Sequence, residues 1–233
     1  NDITKVTPAS FEPTLDYVVV KVPRFNFEKF PAADTTLTTT MKSVGEAMAI
    51  GRNYTTALQK ALRSLEKRGS SFHWGDESRS VEELLEISKT PTDGRIVVLQ
   101  QALRLGATPE QAFEATAMDP WFIDQIVLIN EVAEIIRTAG ELDADTLRLA
   151  KEHGFSDVQI AQLRGLDEAE VRGIRYALDV RPVYKTVDTC AGEFPALTPY
   201  HYSSYDWETE VTPSDRTKVA IIGSCPNRTG QGV

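Results

Sequence analysis

The glycine-rich run near the end of the chain has the residue types best suited to bind a phosphate. It reads Gly-Ser-Cys-Pro-Asn-Arg-Thr-Gly-Gln-Gly at residues 223–232, and it follows residues 218–222, which are typical of a short buried strand. Backbone amides at a strand-to-loop junction can hold an anion. The Gly-Lys-Ser/Thr ending of a P-loop is missing, so a purely structural turn is the alternative. The candidate phosphate-contacting residues are Gly223, Asn227, Arg228, Gly230 and Gly232.

The histidines and the acidic pairs favour structural roles over metal binding. His73, His153 and His201 lack the spacing of metal ligands. The acidic pairs at residues 82–83 and 143–145 stand where helices are expected to begin, and negative charge is favourable there. The residue pattern therefore indicates neither a metal site nor a catalytic residue.

The composition indicates an acidic globular protein. The 233 residues are 41% apolar and 25% charged, with a net charge of −9 and a pI of about 5.0. Such a surface repels nucleic acids and anionic membranes, and we expect neither as a partner. The two cysteines, Cys190 and Cys225, are expected to be reduced thiols of a cytoplasmic protein, although a disulfide between them stays open. No run of residues resembles a signal peptide or a transmembrane segment.

Capped helical patterns fill residues 80–182, and these elements must position any site. Their expected N-cap residues are Ser80, Asp93, Thr108, Asp119, Asp143, Ser156 and Asp167. The strongest periodic signal is an apolar stripe within residues 122–136, which is either core or interface. Its members are Phe122, Ile126, Ile129, Ala133 and Ile136. The last helix is expected to turn Val171, Ile174 and Leu178 inward.

Extended segments and loops flank these helices. Residues 15–22 predict a strand closed by Pro23, and a helical stripe follows at residues 55–67. Small and polar residues at 69–79 indicate a linker, where we place the first domain boundary. The remaining predicted segments are an extended one at 183–194 and an irregular connector at 195–217.

A helix-turn-helix module at residues 156–180 is an alternative function, because two short capped helices surround Gly165. The candidate recognition helix begins Asp-Glu-Ala-Glu at residues 167–170, and its three acids would face phosphates. This charge makes nucleic-acid binding the less favoured interpretation.

Four runs of residues indicate a family when they are taken together. They read Pro-Arg-Phe-Asn-Phe-Glu-Lys-Phe at residues 23–30, Met-Lys-Ser-Val-Gly-Glu-Ala-Met-Ala-Ile-Gly-Arg at 41–52, Arg-Pro-Val-Tyr-Lys-Thr-Val-Asp-Thr-Cys-Ala-Gly-Glu-Phe at 181–194, and the glycine-rich run at 223–232. The first two resemble the end of the first ATP-grasp unit in carbamoyl phosphate synthetase large subunits. The third resembles the return from that family's helical domain, and the fourth resembles the loop that opens the second unit.

The resemblance implies a division of the chain into three parts. Residues 1–68 would end the carboxyphosphate synthetic domain, residues 69–199 would form the helical oligomerisation domain, and residues 200–233 would begin the carbamoyl phosphate synthetic domain. The implied fold is mainly α, with a central helical oligomerisation domain flanked by α/β pieces of two ATP-grasp synthetase units. Asn1 and Val233 are accordingly expected to lie inside a longer protein.

The resemblance also implies an activity for that longer protein. The family phosphorylates bicarbonate, captures ammonia as carbamate and phosphorylates the carbamate, using two ATP. It needs ATP, magnesium or manganese, and potassium, and it receives ammonia from a glutaminase small subunit. The family's metal ligands lie outside these residues, so we expect no cofactor bound here and no activity of this piece alone. Its expected interaction is a homo-oligomer formed through the helical domain.

Glu46 is the residue that the resemblance places nearest to the chemistry. It stands in the match to Met-Lys-Ser-Val-Gly-Glu, and that family position lies along the passage that carries carbamate between the two sites. The alternative is a carboxylate that hydrogen-bonds nearby backbone. The glycine-rich run departs from the family's pattern at Cys225, where glycine is usual, and at Thr229, where isoleucine is usual. Both departures weaken the case for its phosphate role.

Overall fold

The structure, a computed structural model, describes residues 7–8, 10–194, 200–223 and 227–228. Within these residues the architecture is mainly α, as predicted. The helices are α1 Tyr54–Ser64, α2 Val81–Ser88, α3 Arg95–Arg104, α4 Pro109–Thr116, α5 Pro120–Thr138, α6 Ala144–Glu152, α7 Asp157–Arg164 and α8 Glu168–Ala177. The strands are β1 Val18–Arg24, β2 Gly45–Gly51, β3 Val183–Thr186, β4 His201–Ser204 and β5 Asn227–Arg228. No helix in the described part combines the length and the apolar character that membrane crossing requires.

Local capping chemistry sets where several helices begin. The side chains of Ser80 and Thr108 each accept a hydrogen bond from the backbone amide three residues later. The side chains of Glu83 and Gln111 accept in return from the amides of the cap residues. These are complete capping boxes, which satisfy amides that have no partner within the helix. The predicted starts of α2 and α4 are therefore confirmed.

The start of α3 differs from the prediction. The helix follows Gly94, which makes no side-chain capping bond. The carboxylate of Asp93, the predicted N-cap, instead forms an ion pair with Lys67. Because Lys67 binds the Asp93 carboxylate, this side chain does not accept a hydrogen bond from the first backbone amides of α3 as an N-cap would.

Helix α5 lies at the centre of the helical body, by which we mean α1 to α8, and it contacts α1, α3, α4, α6 and α7. The predicted stripe residues that are buried are Ile126, Ile129, Ala133 and Ile136. The prediction for Phe122 is wrong: it is 43% exposed, and Ile123 is buried in its place, since a shift of one residue fits the same helical period. Leu178 is also exposed, because it follows the last residue of α8.

Helix α1 is fastened to the end of α6. The last carbonyls of a helix have no intrahelical donor. Asn53 and Gln59 donate to the carbonyls of residues 152 and 153 at 3.0 and 2.8 Å, and Thr56 donates to the first of these as well. Arg63 donates to the carbonyl of Gly154 at 2.5 Å. We call this set of contacts the α1–α6 seam.

The segment at residues 69–79, predicted as a linker, packs into the helical body. Phe72 is fully buried, and its carbonyl accepts a hydrogen bond from Gln159 at 3.0 Å. Trp74 stacks on Phe155 with 5.0 Å between ring centroids. The same apolar core includes Leu58 and Leu62 of α1. The boundary between residues 68 and 69 stays a prediction, although side chains on both sides of it share this core.

Strands β1 and β2 pair antiparallel, beginning with Val18 opposite Gly51. The sequence predicts that Pro23 closes the first strand, but the strand continues through Pro23 to Arg24. Because the sheet order is β1-β2-β5, β1 has a free edge within the described residues. Proline has no backbone N–H to donate, and an edge strand tolerates this loss.

The last part of the chain departs most from the prediction. Strand β3 begins the predicted extended segment, but its antiparallel partner β4 lies within the predicted irregular connector. Residues 218–222 do not form the predicted buried strand, and Val219, Ile221 and Ile222 are each more than four-fifths exposed. An apolar run of this kind is buried only where neighbouring elements cover it. No described residue pairs with it.

The α1–α6 seam requires glycine at position 154. Gly154 has φ +83°, in the left-handed region that side chains disfavour. A Cβ atom at this position would lie 2.9 Å from Thr56 Cα and 3.1 Å from Gln59 Cβ. Any other residue would therefore combine backbone strain with overlap against α1.

We expect Gly154→Ala to lower the free energy of unfolding by about 2–4 kcal/mol, because strain and overlap add. Gly165 has φ +64° but open space around it, so Gly165→Ala should cost only about 1 kcal/mol. Gly140→Ala, with neither constraint, should stay within about 0.5 kcal/mol of the parent chain. Urea unfolding measures all three, and equal losses at 154 and 165 would contradict the close approach.

Candidate functional site

Glu46 lies on the open face of the β1–β2 sheet. Side chains of β2 alternate, so Ala47 and Ala49 are buried while Glu46 and Met48 point to the other face. The Glu46 carboxylate forms an ion pair with Lys21 of β1 at 3.3 Å. Its described partner is thus a side chain on the neighbouring strand. The role in a carbamate passage stays a prediction.

The structure brings part of the glycine-rich run beside Glu46. Strand β5 pairs antiparallel with β2, and Asn227 is the cross-strand partner of Glu46, while Arg228 is the partner of Gly45. The sequence places Glu46 and the glycine-rich run in separate candidate sites. No local pattern predicts that two segments so far apart along the chain pair as strands. Of the other candidate residues, Gly223 is exposed with open space around it. Gly230 and Gly232 lie outside the described residues, as do Cys225 and Thr229.

A metal site is not evident from side-chain geometry. In the parts of the chain that the structure describes, no three His, Cys, Asp or Glu side chains come together to hold a metal ion. His153 donates to or accepts from Thr55 at 3.1 Å, a structural contact beside the α1–α6 seam. Burial lowers the pKa of His153, as expected for a ring packed between helices.

A buried ionic cluster links α6, α7 and α8. Asp157 accepts from Lys151 at 2.9 Å and from Arg175 at 2.8 Å, and all three side chains are buried. Burial alone would raise the pKa of Asp157, but the hydrogen bond from Arg175 and the charge of Lys151 lower it below the ordinary value. Sequence reasoning missed this cluster. A signal existed, because Arg175 stands one turn after the inward-facing Val171.

This cluster bears on the helix-turn-helix alternative. Helices α7 and α8 do pack against each other, as that motif requires. Arg175 of α8, however, forms an ion pair with Asp157, and Arg172 pairs with Glu168. Basic side chains that are neutralised inside the chain are not available to DNA phosphates, so the geometry gives no support to nucleic-acid binding.

A polar cavity of about 350 Å³ opens between α1, the α6–α7 turn and β4. Its walls include the cationic side chains of Lys60, Arg63 and Lys151. Burial, together with the nearby charge of Arg63, lowers the pKa of Lys60 to about 8. Burial also lowers the pKa of Lys151 to about 8 and that of Arg63 to about 10. The sequence gives no hint of this cavity, because its walls are distant along the chain.

An aromatic patch covers the beginning of α5. Tyr54, Trp121 and Phe122 meet edge to face, with ring centroids 5.0–5.3 Å apart. Trp121 is 51% exposed, and Phe113 of neighbouring α4 is exposed as well. Large aromatic side chains left partly open on a helical surface are typical of interaction sites.

Comparisons with known proteins give a consistent picture. Residues 46–179 match the family model described as carbamoyl-phosphate synthetase large chain, oligomerisation domain. The whole chain is 82% identical over 233 residues to the carbamoyl phosphate synthase large chain of Clavibacter michiganensis subsp. michiganensis. It is 66% identical, again over its whole length, to the proteins of that name from Beutenbergia cavernae and Streptomyces coelicolor. The chain spans 21% of the length of each of these relatives.

We expect Asp157→Asn to destabilise the chain by about 3–5 kcal/mol at pH 7, because it leaves two buried cations without a carboxylate. Since the pKa of Asp157 is lowered on folding, its contribution is present above the unfolded-state pKa and is lost as the pH falls through the folded-state pKa. The variant should therefore lose less stability than the parent between pH 5 and pH 3.

Urea unfolding at several pH values measures this difference. The exposed Asp179, which pairs with Arg181, supplies the control, and Asp179→Asn should change stability by less than about 0.5 kcal/mol. Equal effects of the two substitutions would show that the buried cluster is not held by Asp157.

Proposed function

The chain belongs to the carbamoyl-phosphate synthetase large chain family, and from this we propose that its helical body is the scaffold that joins the two synthetase halves. One observation carries the proposal: the family match, residues 46–179, includes the eight helices α1 to α8 and the α1–α6 seam. Strand β2 packs against α1, and the α1–α6 seam therefore fixes β2 relative to the later helices. In this proposal β2 lies towards the first synthetase half, and the later helices lead towards the second half. A scaffold needs this kind of rigid joint, because relative motion would misalign the parts it connects.

For the longer protein we propose the activity that the family name describes. It would make carbamoyl phosphate from bicarbonate, ammonia and two ATP, with ammonia supplied by a glutaminase small subunit. Magnesium or manganese, potassium and ATP would act on parts of the protein outside this chain. Carboxylate clusters that fit a divalent metal are missing from the described residues, so we assign no catalytic step to them.

Glu46 is the residue through which this chain would contribute to the reaction path. Its carboxylate sits on an open sheet face, and Lys21 and the β5 strand adjoin it. A charged wall of this kind stays hydrated, and it suits the passage of a small polar intermediate. The ion pair with Lys21 is the structural alternative, and the two roles predict different mutant behaviour.

We expect Glu46→Ala in the full-length synthetase to lower overall carbamoyl phosphate synthesis by about tenfold, equivalent to 1.4 kcal/mol. Bicarbonate-dependent ATP hydrolysis should stay within about twofold, since the first phosphorylation would not use the passage. Lys21→Met removes the ion pair but keeps the carboxylate, and it should leave both rates nearly unchanged. If Glu46→Ala leaves both rates normal, the role in the passage is wrong. If Glu46→Ala and Lys21→Met lower the synthesis rate equally, the ion pair is what matters.

Subunit association is the second part of the scaffold proposal. The family model is that of an oligomerisation domain, and the aromatic patch of Tyr54, Trp121 and Phe122 is an apolar surface suited to such a contact. We propose that a second copy of this chain covers the patch. The buried residues of the same α5 stripe belong to the core, so the two faces of α5 have separate roles.

We expect the double variant Trp121→Glu with Phe122→Glu to weaken self-association at least about thirtyfold, as loss of one aromatic hot spot of about 2 kcal/mol would do. Light scattering after size exclusion, across a concentration series, measures the change. Val158→Glu, an exposed apolar residue on α7, is the matched control and should associate as the parent does. A parent chain that stays monomeric at high concentration would contradict association through the patch.

A further inference from the structure

Two cations stand one helical turn apart on α1 and face the polar cavity. Lys60 and Arg63 are separated by three residues, so their side chains share one face of the helix. Like charges at this spacing repel each other, and both side chains are only partly exposed to water. The arrangement is unfavourable unless something negative lies nearby.

Neither cation has a carboxylate partner among the described residues. Lys60 donates to the carbonyls of Ile50 and Ser203 at 2.6 and 2.8 Å. Arg63 donates to the carbonyl of Gly154 and, at 3.5 Å, to Gln159. These partners are neutral, and the end of α6 supplies only about half a negative charge.

The carboxylates that line the cavity are already committed. Asp157 is bonded to both Lys151 and Arg175, and Glu168 pairs with Arg172. The cavity wall therefore holds Lys60 and Arg63 without a bonded carboxylate among the described residues, and the charge of Asp157 offsets that of Arg63 only in part. This is notable in a chain whose net charge is −9, where carboxylates are plentiful elsewhere.

A purely structural role explains only part of the arrangement. Lys60 connects β2 to β4 through its two carbonyl acceptors, but an ammonium group has a third N–H. Arg63 uses one of its terminal nitrogens, Nη1, in the bonds described, and a guanidinium has five N–H donors. Fastening the strands does not require two neighbouring cations that lack a bonded carboxylate. Spare donors on both side chains are what an oxyanion would bind.

We propose that this cavity binds a small oxyanion, a carboxylate or a phosphate, through Lys60 and Arg63. A volume of about 350 Å³ suits an ion or a small metabolite. Thr56, Ser203, Ser204 and Tyr205 line the same cavity. The proposal is independent of the scaffold role and of the passage at Glu46.

Isothermal titration of the full-length protein at low ionic strength tests this site, with inorganic phosphate and succinate in separate arms. We expect saturable binding in at least one arm. Lys60→Met and Arg63→Met should each weaken it at least about tenfold, because a charge-assisted bond is lost. Lys89→Met, which removes an exposed lysine paired with Glu86, should bind as the parent does and controls for the loss of one positive charge away from the cavity.

The conservative variants Lys60→Arg and Arg63→Lys keep the charge and should retain binding within a few fold, which separates loss of the site from loss of the fold. Binding of phosphate alone, succinate alone or both identifies the class of oxyanion. The absence of saturable binding in the parent would overturn the proposal. Equal heats for the parent and both methionine variants would overturn it as well.

Discussion

Helix α6 ends with carbonyl groups that have no donor within the helix, and polar side chains of α1 donate to them. Three features of the molecule depend on this contact. It brings α1 close enough that only glycine fits at position 154. It places Lys60 and Arg63 beside the polar cavity. It also fixes β2, which packs against α1, relative to the helices that follow.

The seam gives the proposed scaffold role a physical basis. Glu46 lies on the sheet, whereas the aromatic patch and the ionic cluster of Asp157 lie on the helical body. One apolar core extends from Leu58 of α1 to Val180 beyond α8, so these sites belong to a continuous packed unit. A change at one end of such a unit cannot be absorbed by a flexible linker, and the spacing between the ends is preserved.

Features set by neighbouring residues could be predicted from the sequence. The capping boxes at Ser80 and Thr108 and the buried side of α5 follow from local spacing, and the structure confirms them except at Phe122. Features set by distant residues could not. Lys67 diverts Asp93 from its capping role, and the free edge of β1 accommodates Pro23. The pairing of Asn227 with Glu46 and the cavity walls also join segments far apart in the chain, where periodicity carries no information.

Native-state hydrogen exchange tests most directly whether the α1–α6 seam makes α1 unfold as one cooperative unit with the other helices. If the account is right, amides in the middle of α1, such as those of Leu58 and Leu62, exchange only through the same global unfolding as amides of α5 such as that of Ile129. Their opening free energies and their dependence on denaturant would then coincide. Exchange of the α1 amides through a separate opening of much lower free energy, with α5 still protected, would contradict the account.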